Sequence, residues 1–447
     1  MVISNEGMCK MTEIIKRTQS ICPVCFNTVP ANIIKEADTV FLEKNCEEHG
    51  SYKTVIWRGK PDYTSWERPK TPAYPEAAYT NISKGCPHDC GLCSEHRQHT
   101  CTVLIEVTSR CNLNCEFCFA DSSGNEKDPD LKTIEHWYKK ILEAGGPFNL
   151  QISGGEPTIR DDLPKIISMA SHMGFSFIQL NTNGIMLSDY DYYKSLKEAG
   201  LSSVFLQFNE VSKEEINSLQ GKEIINEKYR VIESSGKLGI GVILVCTVVP
   251  HKNDHLLWEI IKFGMDHAPT VRGVHFQPVS YFGRIPKLPE DRDRITLPEV
   301  MSKIVLQSDH KINLSDFAPS GCENARCSFH ANYTLIDGAM LCVSKKTRCS
   351  CKENGIDGSR NSVKFVARNW SGVKSMKDTP KRKSFDELSQ KIRNGFFSIS
   401  GMAFQDVWNL DLERLKDCCI HVVNKDGHLI PFCAYNMTSA DKKKLYR

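Results

Sequence analysis

The sequence predicts an α/β fold: a central parallel sheet of six βα units, preceded by a small metal-bound unit and followed by a second cysteine-rich one. Three observations predict it. Between Thr102 and Val279 short apolar runs alternate with longer segments of helical spacing, the pattern of strands joined by crossover helices. The first run leads directly into Cys111, Cys115 and Cys118, spaced C-x3-C-x2-C. The chain also carries 20 cysteines, and nearly all fall in groups with metal-ligand spacing.

At 447 residues the chain is long for a single core, and the cysteine groups divide it at 1–66, 67–101, 102–300 and 301–447. A net charge of +3, from 57 basic and 54 acidic residues, leaves no electrostatic footprint for nucleic acid. The longest apolar stretch, 239–250, is too short to cross a bilayer, and residues 1–16 show no secretory pattern. A cytoplasmic protein is expected, with no transmembrane segment and no membrane contact beyond a peripheral one. In a reducing compartment so many thiols are metal ligands rather than disulfides.

Residues 1–66 open with Cys22-x2-Cys25 and Cys46-x2-His49, two knuckles that present four ligands to one iron or zinc ion. Strands are expected at 39–42 and 52–57, and the metal would supply much of the folding free energy of so small a unit. A proline-rich linker over 61–75 follows. Next come Cys86, Cys90 and Cys93, again C-x3-C-x2-C, with Cys101 as the nearest fourth ligand for a closed auxiliary cluster. The alternative is zinc, completed by His88, His96 or His99.

In residues 102–300 strands are expected at 103–107, 148–152, 177–181, 203–208, 241–249 and 273–279, with a helix over 131–144. Cys111, Cys115 and Cys118 stand at the C-terminal end of the first strand, where βα folds place their chemistry. Three thiolates can hold three irons of a cubane and leave the fourth open to a small molecule, whereas structural zinc is normally closed by four ligands. The second strand runs into Gly154, Gly155, Glu156 and Pro157: glycines for close backbone approach and a carboxylate able to accept from an ammonium group. Asn181 and Asn183, then Gln207 and Asn209, are polar residues at strand tips and candidates for ribose or substrate contacts. His275 and Gln277 follow on the sixth strand, His275 being equally readable as a satisfied core histidine. Cys246 reads as core, and Cys9 stands alone.

Residues 301–447 repeat one plan twice, in 327–342 and 419–433: cysteine, β-type run, Asp-Gly turn, apolar run, cysteine. Two such hairpins with Cys322 offer ligands for a further four-iron cluster among Cys322, Cys327, Cys342, Cys418, Cys419 and Cys433, leaving Cys349 and Cys351 spare. The basic stretch 359–393 reads as a solvated face or loop.

The C-x3-C-x-Phe117-Cys motif followed by Gly-Gly-Glu-Pro resembles the radical S-adenosylmethionine (radical SAM) superfamily. That resemblance implies a partial (β/α)6 barrel and a [4Fe-4S] cluster on Cys111, Cys115 and Cys118 whose open iron chelates SAM. It further implies SAM contacts at Phe117 and at 154–157, and reductive cleavage of SAM to a 5'-deoxyadenosyl radical. The N-terminal knuckles, the Cys86–Cys93 loop and the terminal hairpin together resemble the tetraether lipid synthase group and its shorter bacterial homologues. That implies a rubredoxin-like iron, two auxiliary [4Fe-4S] clusters in a SPASM- or twitch-like arrangement, and radical coupling of lipid chains. Relatives of that group are described as pterin methyltransferases, so methylation of a pterin-like molecule or modification of a peptide is the alternative. A zinc-binding scaffold is the reading from another class. A low-potential donor such as flavodoxin or ferredoxin is the implied electron partner.

Overall fold

The computed structural model describes residues 12–75, 79–122, 127–212, 219–336, 339–344, 355–373 and 391–447. Cys9, Cys349, Cys351 and the Asp337-Gly338 turn lie outside these residues.

Strands β1 (Thr12–Ile21), β2 (Thr28–Glu36), β3 (Thr39–Cys46) and β4 (Gly50–Arg58) form an antiparallel meander in sequence order. The sequence predicts only the last two. β1 is an edge strand exposed along most of its length, so it lacks the apolar alternation that marks a half-buried strand. The meander closes on Ile33, Leu42 and Trp57, all fully or nearly fully buried. It docks through Arg58, whose Nη1 donates to the carbonyl of Arg294 at 3.0 Å and to Glu299 at 3.2 Å.

The six expected strands follow as β5 (Thr102–Thr108), β6 (Asn149–Gly154), β7 (Ile178–Thr182), β8 (Ser203–Gln207), β9 (Gly241–Val248) and β10 (Val271–Pro278), parallel and adjacent in that order. Helix α1 (Leu131–Glu143) starts where the Asp130 carboxylate accepts from Thr133 N–H, and it buries Ile134, Trp137, Tyr138 and Ile141 at helical spacing. Along β6, Leu150 and Ile152 are fully buried in the core while Asn149, Gln151 and Ser153 line a central cavity. β7 repeats this, with Ile178 and Leu180 in the core and Phe177, Gln179 and Asn181 on the cavity. The curled sheet therefore has an apolar outside under its helices, and an inside where amides stand among apolar and aromatic side chains such as Phe177, Phe205 and Val245.

The C-terminal strands extend this sheet at both edges. β13 (Phe396–Met402) pairs parallel with β10 and then with the hairpin β11 (Ser328–Ile336) and β12 (Ala339–Cys342); β14 (Ile420–Val423) pairs parallel with β5 and then with β15 (Leu429–Pro431). Both expected hairpins exist, but they stand at opposite edges of one sheet. The boundary drawn at 300 falls inside a helix, Leu297–Gln307.

The stretch expected to be solvated instead contains helix α7 (Gly355–Trp370), which crosses the N-terminal ends of the barrel strands. Asn149 donates to Val363 O at 3.3 Å and Ser359 to Thr100 O at 2.8 Å, and a Cβ at Gly241 would meet Trp370 O at 2.1 Å. Gly358, Asn361, Phe365 and Trp370 face the cavity as its floor. The basic residues hid this face because they occupy the opposite side of the helix.

Arg294 and Asp406 form a buried pair, bidentate at 2.8 and 3.1 Å, that ties the segment after β10 to the chain before β14. Replacing Asp406 with Ala leaves the guanidinium buried without its counter-charge. The expected loss is about 3–5 kcal/mol in denaturant unfolding, and an unchanged midpoint would show that the pair does not hold the two segments together.

Candidate active site and metal centres

The cluster loop leaves β5 and is fixed from three sides. Gly155 N–H donates to Thr108 O and Glu156 N–H to Arg110 O, both at 2.8 Å. A Cβ on Gly154 (φ +122°) would meet Thr108 O at 2.2 Å, and one on Gly155 would meet Arg110 O at 2.0 Å. The glycines thus admit the neighbouring chain itself. From the far side Cys118 exchanges two backbone hydrogen bonds with Arg284, whose Nε also donates to Cys115 O at 2.9 Å. Lys252 pairs with Glu116 and lies 5.9 Å from the Phe117 ring, which meets Tyr281 edge to face.

Cys111, Cys115, Cys118 and Phe117 all line the central cavity. Burial pushes the Cys111 thiol up to about 11 and raises Cys115 as well, and a bound metal would act in the opposite direction by favouring the thiolates. Gln207 hydrogen-bonds Cys115, and Asn183 donates to Asn112 Oδ1 at 2.7 Å, bringing two more sequence-selected residues to the loop. Asn181 lines the cavity, and its buried Oδ1 has no hydrogen-bond partner among the described residues.

Two selected residues also have partners within the protein, and Glu156 lines the cavity as well. The Glu156 carboxylate accepts from Thr158 N, Thr158 Oγ1, Thr182 Oγ1 and Asn183 N at 2.5–3.1 Å. Three of these bonds fall on Oε1 and one on Oε2, so Glu156 pins β6 to β7 while Oε2 keeps acceptor capacity. Asn209 Oδ1 accepts from Thr247 N at 2.9 Å and is spent on holding β8 to β9. Pro157 is buried in the short turn that Glu156 caps. Sequence reasoning missed Thr158, Thr182 and Arg284. Thr158 was findable as a capping partner two residues after Glu156, but nothing local marks Arg284 as a neighbour of Cys115 and Cys118.

The remaining cysteines sort into separate groups. Cys22, Cys25, Cys46 and His49 bring their ligand atoms within 4.8 Å of one another, with His49 Nδ1 at 3.6 and 3.5 Å from the Cys22 and Cys46 sulfurs. This closed Cys3His set fits tetrahedral zinc. Cys101 is drawn away from Cys86, Cys90 and Cys93: it stands with Cys322 and Cys419 in a second group whose sulfurs lie within 4.8 Å, 3.1 Å from Cys419. These three segments come from before β5, β11 and β14, and all three cysteines line the central cavity. Glu323 lies 3.8 Å from the Cys419 sulfur. Cys86, Cys90 and Cys93 surround a small separate cavity with His96 and Lys416. Cys327, Cys418 and Cys433 are each hydrogen-bonded, to Arg414, Ile420 O and Gln405 N. Cys342 is exposed on outer strand β12, paired opposite Tyr333, and not in either convergent thiol group.

Residues 105–264 match the radical SAM superfamily and residues 14–58 match the HMPTM N-terminal zinc ribbon domain. Over 94% of its length the chain is 32% identical to the 7,8-dihydro-6-hydroxymethylpterin dimethyltransferase of Methanocaldococcus jannaschii, of which it covers 93%. The chain belongs to this family of radical SAM enzymes. It is also 30% identical over 183 residues to the GTP 3',8-cyclase of Aquifex aeolicus, covering 40% of this enzyme and 57% of the cyclase. The solved structure of methylornithine synthase aligns over 65% of this chain and 86% of that one, with 13% identity and a TM-score of 0.39. Radical SAM membership makes the enzyme reading definite over the scaffold reading, and implies a [4Fe-4S] cluster and SAM. No tetraether lipid synthase stands among these relatives; the methyltransferase matches the alternative the sequence offered. No helix among the described residues is long and apolar enough to cross a membrane.

Two outcomes test the site. Gly155→Ala forces Arg110 O to retreat, and is expected to cost on the order of 1–3 kcal/mol and to lower the iron bound at the central loop, read by iron and sulfide counting. Cys46→Ser is expected to remove one metal per chain by elemental analysis and to lower the thermal midpoint; retention of that metal would show that Cys46 is not a ligand.

Proposed function

We propose that this radical SAM enzyme transfers methyl groups to a small pterin-like heterocycle bound in the barrel. The SAM that is cleaved keeps its methyl in methionine, so each transferred methyl would come from a second SAM, which leaves as S-adenosylhomocysteine with a second electron from the reductant. One observation carries the reading: a single cavity of about 570 Å³ runs from Cys111, Cys115 and Cys118 to an amide-lined interior floored by α7. That is the size class of small-molecule sites. Its interior carries unpartnered acceptors, Asn181 Oδ1 and Asn332 Oδ1, which a polar ring system can satisfy and a lipid chain would leave unpaired. The name of the M. jannaschii relative supports the same substrate class.

Cys111, Cys115 and Cys118 would hold the cluster, which supplies the electron that cleaves SAM reductively when both are bound. Arg284 and the Thr108–Gly155 and Arg110–Glu156 backbone bonds hold these thiols at one end of the cavity. Asn181 Oδ1 offers an acceptor at the adjacent strand tip, and Glu156 keeps that tip in register. The floor helix and the curled sheet bound the space where hydrogen would be removed from carbon. Cys22, Cys25, Cys46 and His49 would hold zinc as a folding element. Cys101, Cys322 and Cys419, and separately Cys86, Cys90 and Cys93, would hold the auxiliary metal centres. Reduction would come from an external low-potential donor such as flavodoxin or ferredoxin.

Anaerobic reconstitution followed by SAM, dithionite and 7,8-dihydro-6-hydroxymethylpterin tests this. The expected result is 5'-deoxyadenosine together with a pterin carrying one or two added methyl groups by mass spectrometry, both lost in Cys115→Ala. Cleavage of SAM with an unmodified pterin under a competent reductant would remove the substrate assignment and leave the radical chemistry.

A further inference from the structure

Several polar groups in the barrel interior are built for something other than the protein. Asn332 is nine-tenths buried on β11 and lines the cavity, yet its Oδ1 has no hydrogen-bond partner among the described residues. Trp370, at the end of the floor helix, also lines the cavity, and its Nε1–H is buried without a partner among the described residues. An orphaned buried acceptor and an orphaned buried donor are each costly and rarely kept without a purpose. Sheet register places Asn332 near β10, and the Phe205 ring links Trp370 to His275 on that strand. Asn332 pairs opposite Ser398 on β13, Ser398 opposite Gly273 on β10, and two residues along β10 His275 faces the same cavity.

Aromatic faces stand beside these groups. The Phe205 ring lies 6.0 Å from Trp370, near parallel at 23°, and 5.4 Å from the His275 ring. His275 Nδ1 and Ser400 Oγ share a hydrogen bond at 2.9 Å, and burial lowers the pKa of His275 to about 4, so it presents a neutral ring. On the facing wall Gln151 donates to Gln179 Oε1 at 2.7 Å and Gln179 passes a hydrogen bond to Ser203 at 3.2 Å. That chain fixes the Gln151 amide in one orientation at the cavity surface.

We propose that Asn332 and Trp370 read the edge of a planar nitrogen heterocycle that packs beside the Phe205, His275 and Trp370 rings, and that these two residues set substrate specificity. The proposal rests on the small-molecule reading of the cavity. Asn332 Oδ1 takes a ring or exocyclic N–H, and Trp370 Nε1–H gives to a ring nitrogen or carbonyl. A hydrocarbon chain would satisfy neither group, and a site built this way rejects ligands that leave its polar groups unpaired. Neither side chain needs the ligand to fold, because neither polar atom is bonded within the described protein.

The test is anaerobic titration calorimetry of the full, metal-loaded chain with 7,8-dihydro-6-hydroxymethylpterin, with guanosine, and with a long-chain fatty acid below its critical micelle concentration. It uses the wild type, Asn332→Leu and Trp370→Phe, with thermal midpoints measured in parallel. The expected result is that the wild type binds the pterin and that Asn332→Leu weakens it about tenfold, ~1.4 kcal/mol, with a smaller loss in Trp370→Phe. Thermal midpoints should be unchanged or raised, since an orphaned polar atom has been replaced by carbon; a merely structural role would lower them. Equal pterin affinity in all three proteins would overturn the proposal and leave the pterin reading standing. Guanosine bound in place of the pterin, with the same losses, would keep the edge-reading site and remove the pterin reading. Binding of the fatty acid alone, or of nothing, would overturn both.

Discussion

A side chain at position 154 or 155 would drive its Cβ to within 2.2 or 2.0 Å of the Thr108 or Arg110 carbonyl, and much of the active site follows from that constraint. Two backbone hydrogen bonds join the end of β6 to the start of the cluster loop, so the loop cannot drift from the sheet. Glu156, placed by the same turn, then spends its carboxylate on Thr158, Thr182 and Asn183, which locks β7 to β6. Asn183 in turn grips Asn112 inside the loop. A motif that reads as a ligand contact thus acts first as a joint, and the ligand-facing geometry depends on it.

The curled sheet distributes polarity in a way that serves chemistry. Because strand residues alternate, each of β6 and β7 sends aliphatic side chains outward under the helices and amides inward. A barrel of this size would ordinarily fill its interior with branched apolar side chains. Here amides and aromatic rings keep open a cavity reaching from the three loop cysteines to α7. Buried amides are costly unless paired, and several are paired with one another across strands, such as Gln151 with Gln179. Asn181 Oδ1 and Asn332 Oδ1 have no such partner among the described residues.

The C-terminal third shows how one sheet can recruit distant sequence. β11–β13 extend one edge and β14–β15 the other, and the curl returns Cys322 and Cys419 to Cys101. Cys101 meets Cys322 and Cys419, 221 and 318 positions further along the chain, at one face of the cavity. The flanks of an open barrel are therefore joined by thiols as well as by packing.

Sequence alone determined the six parallel strands, the loop carrying Cys111, Cys115 and Cys118, the four-ligand knuckle pair and both terminal hairpins, because each is written in local spacing. Periodicity of side chains, cysteine intervals and Asp-Gly turns are properties of neighbours in the chain. Only the tertiary structure decided that Cys101 joins Cys322 and Cys419, that Asn209 and Glu156 are held by other strands, and that a basic stretch hides the helix flooring the barrel. Those outcomes depend on which strand tips the sheet curl brings together. Sheet curl sums small twists over eleven strands, and no short window of sequence contains that sum.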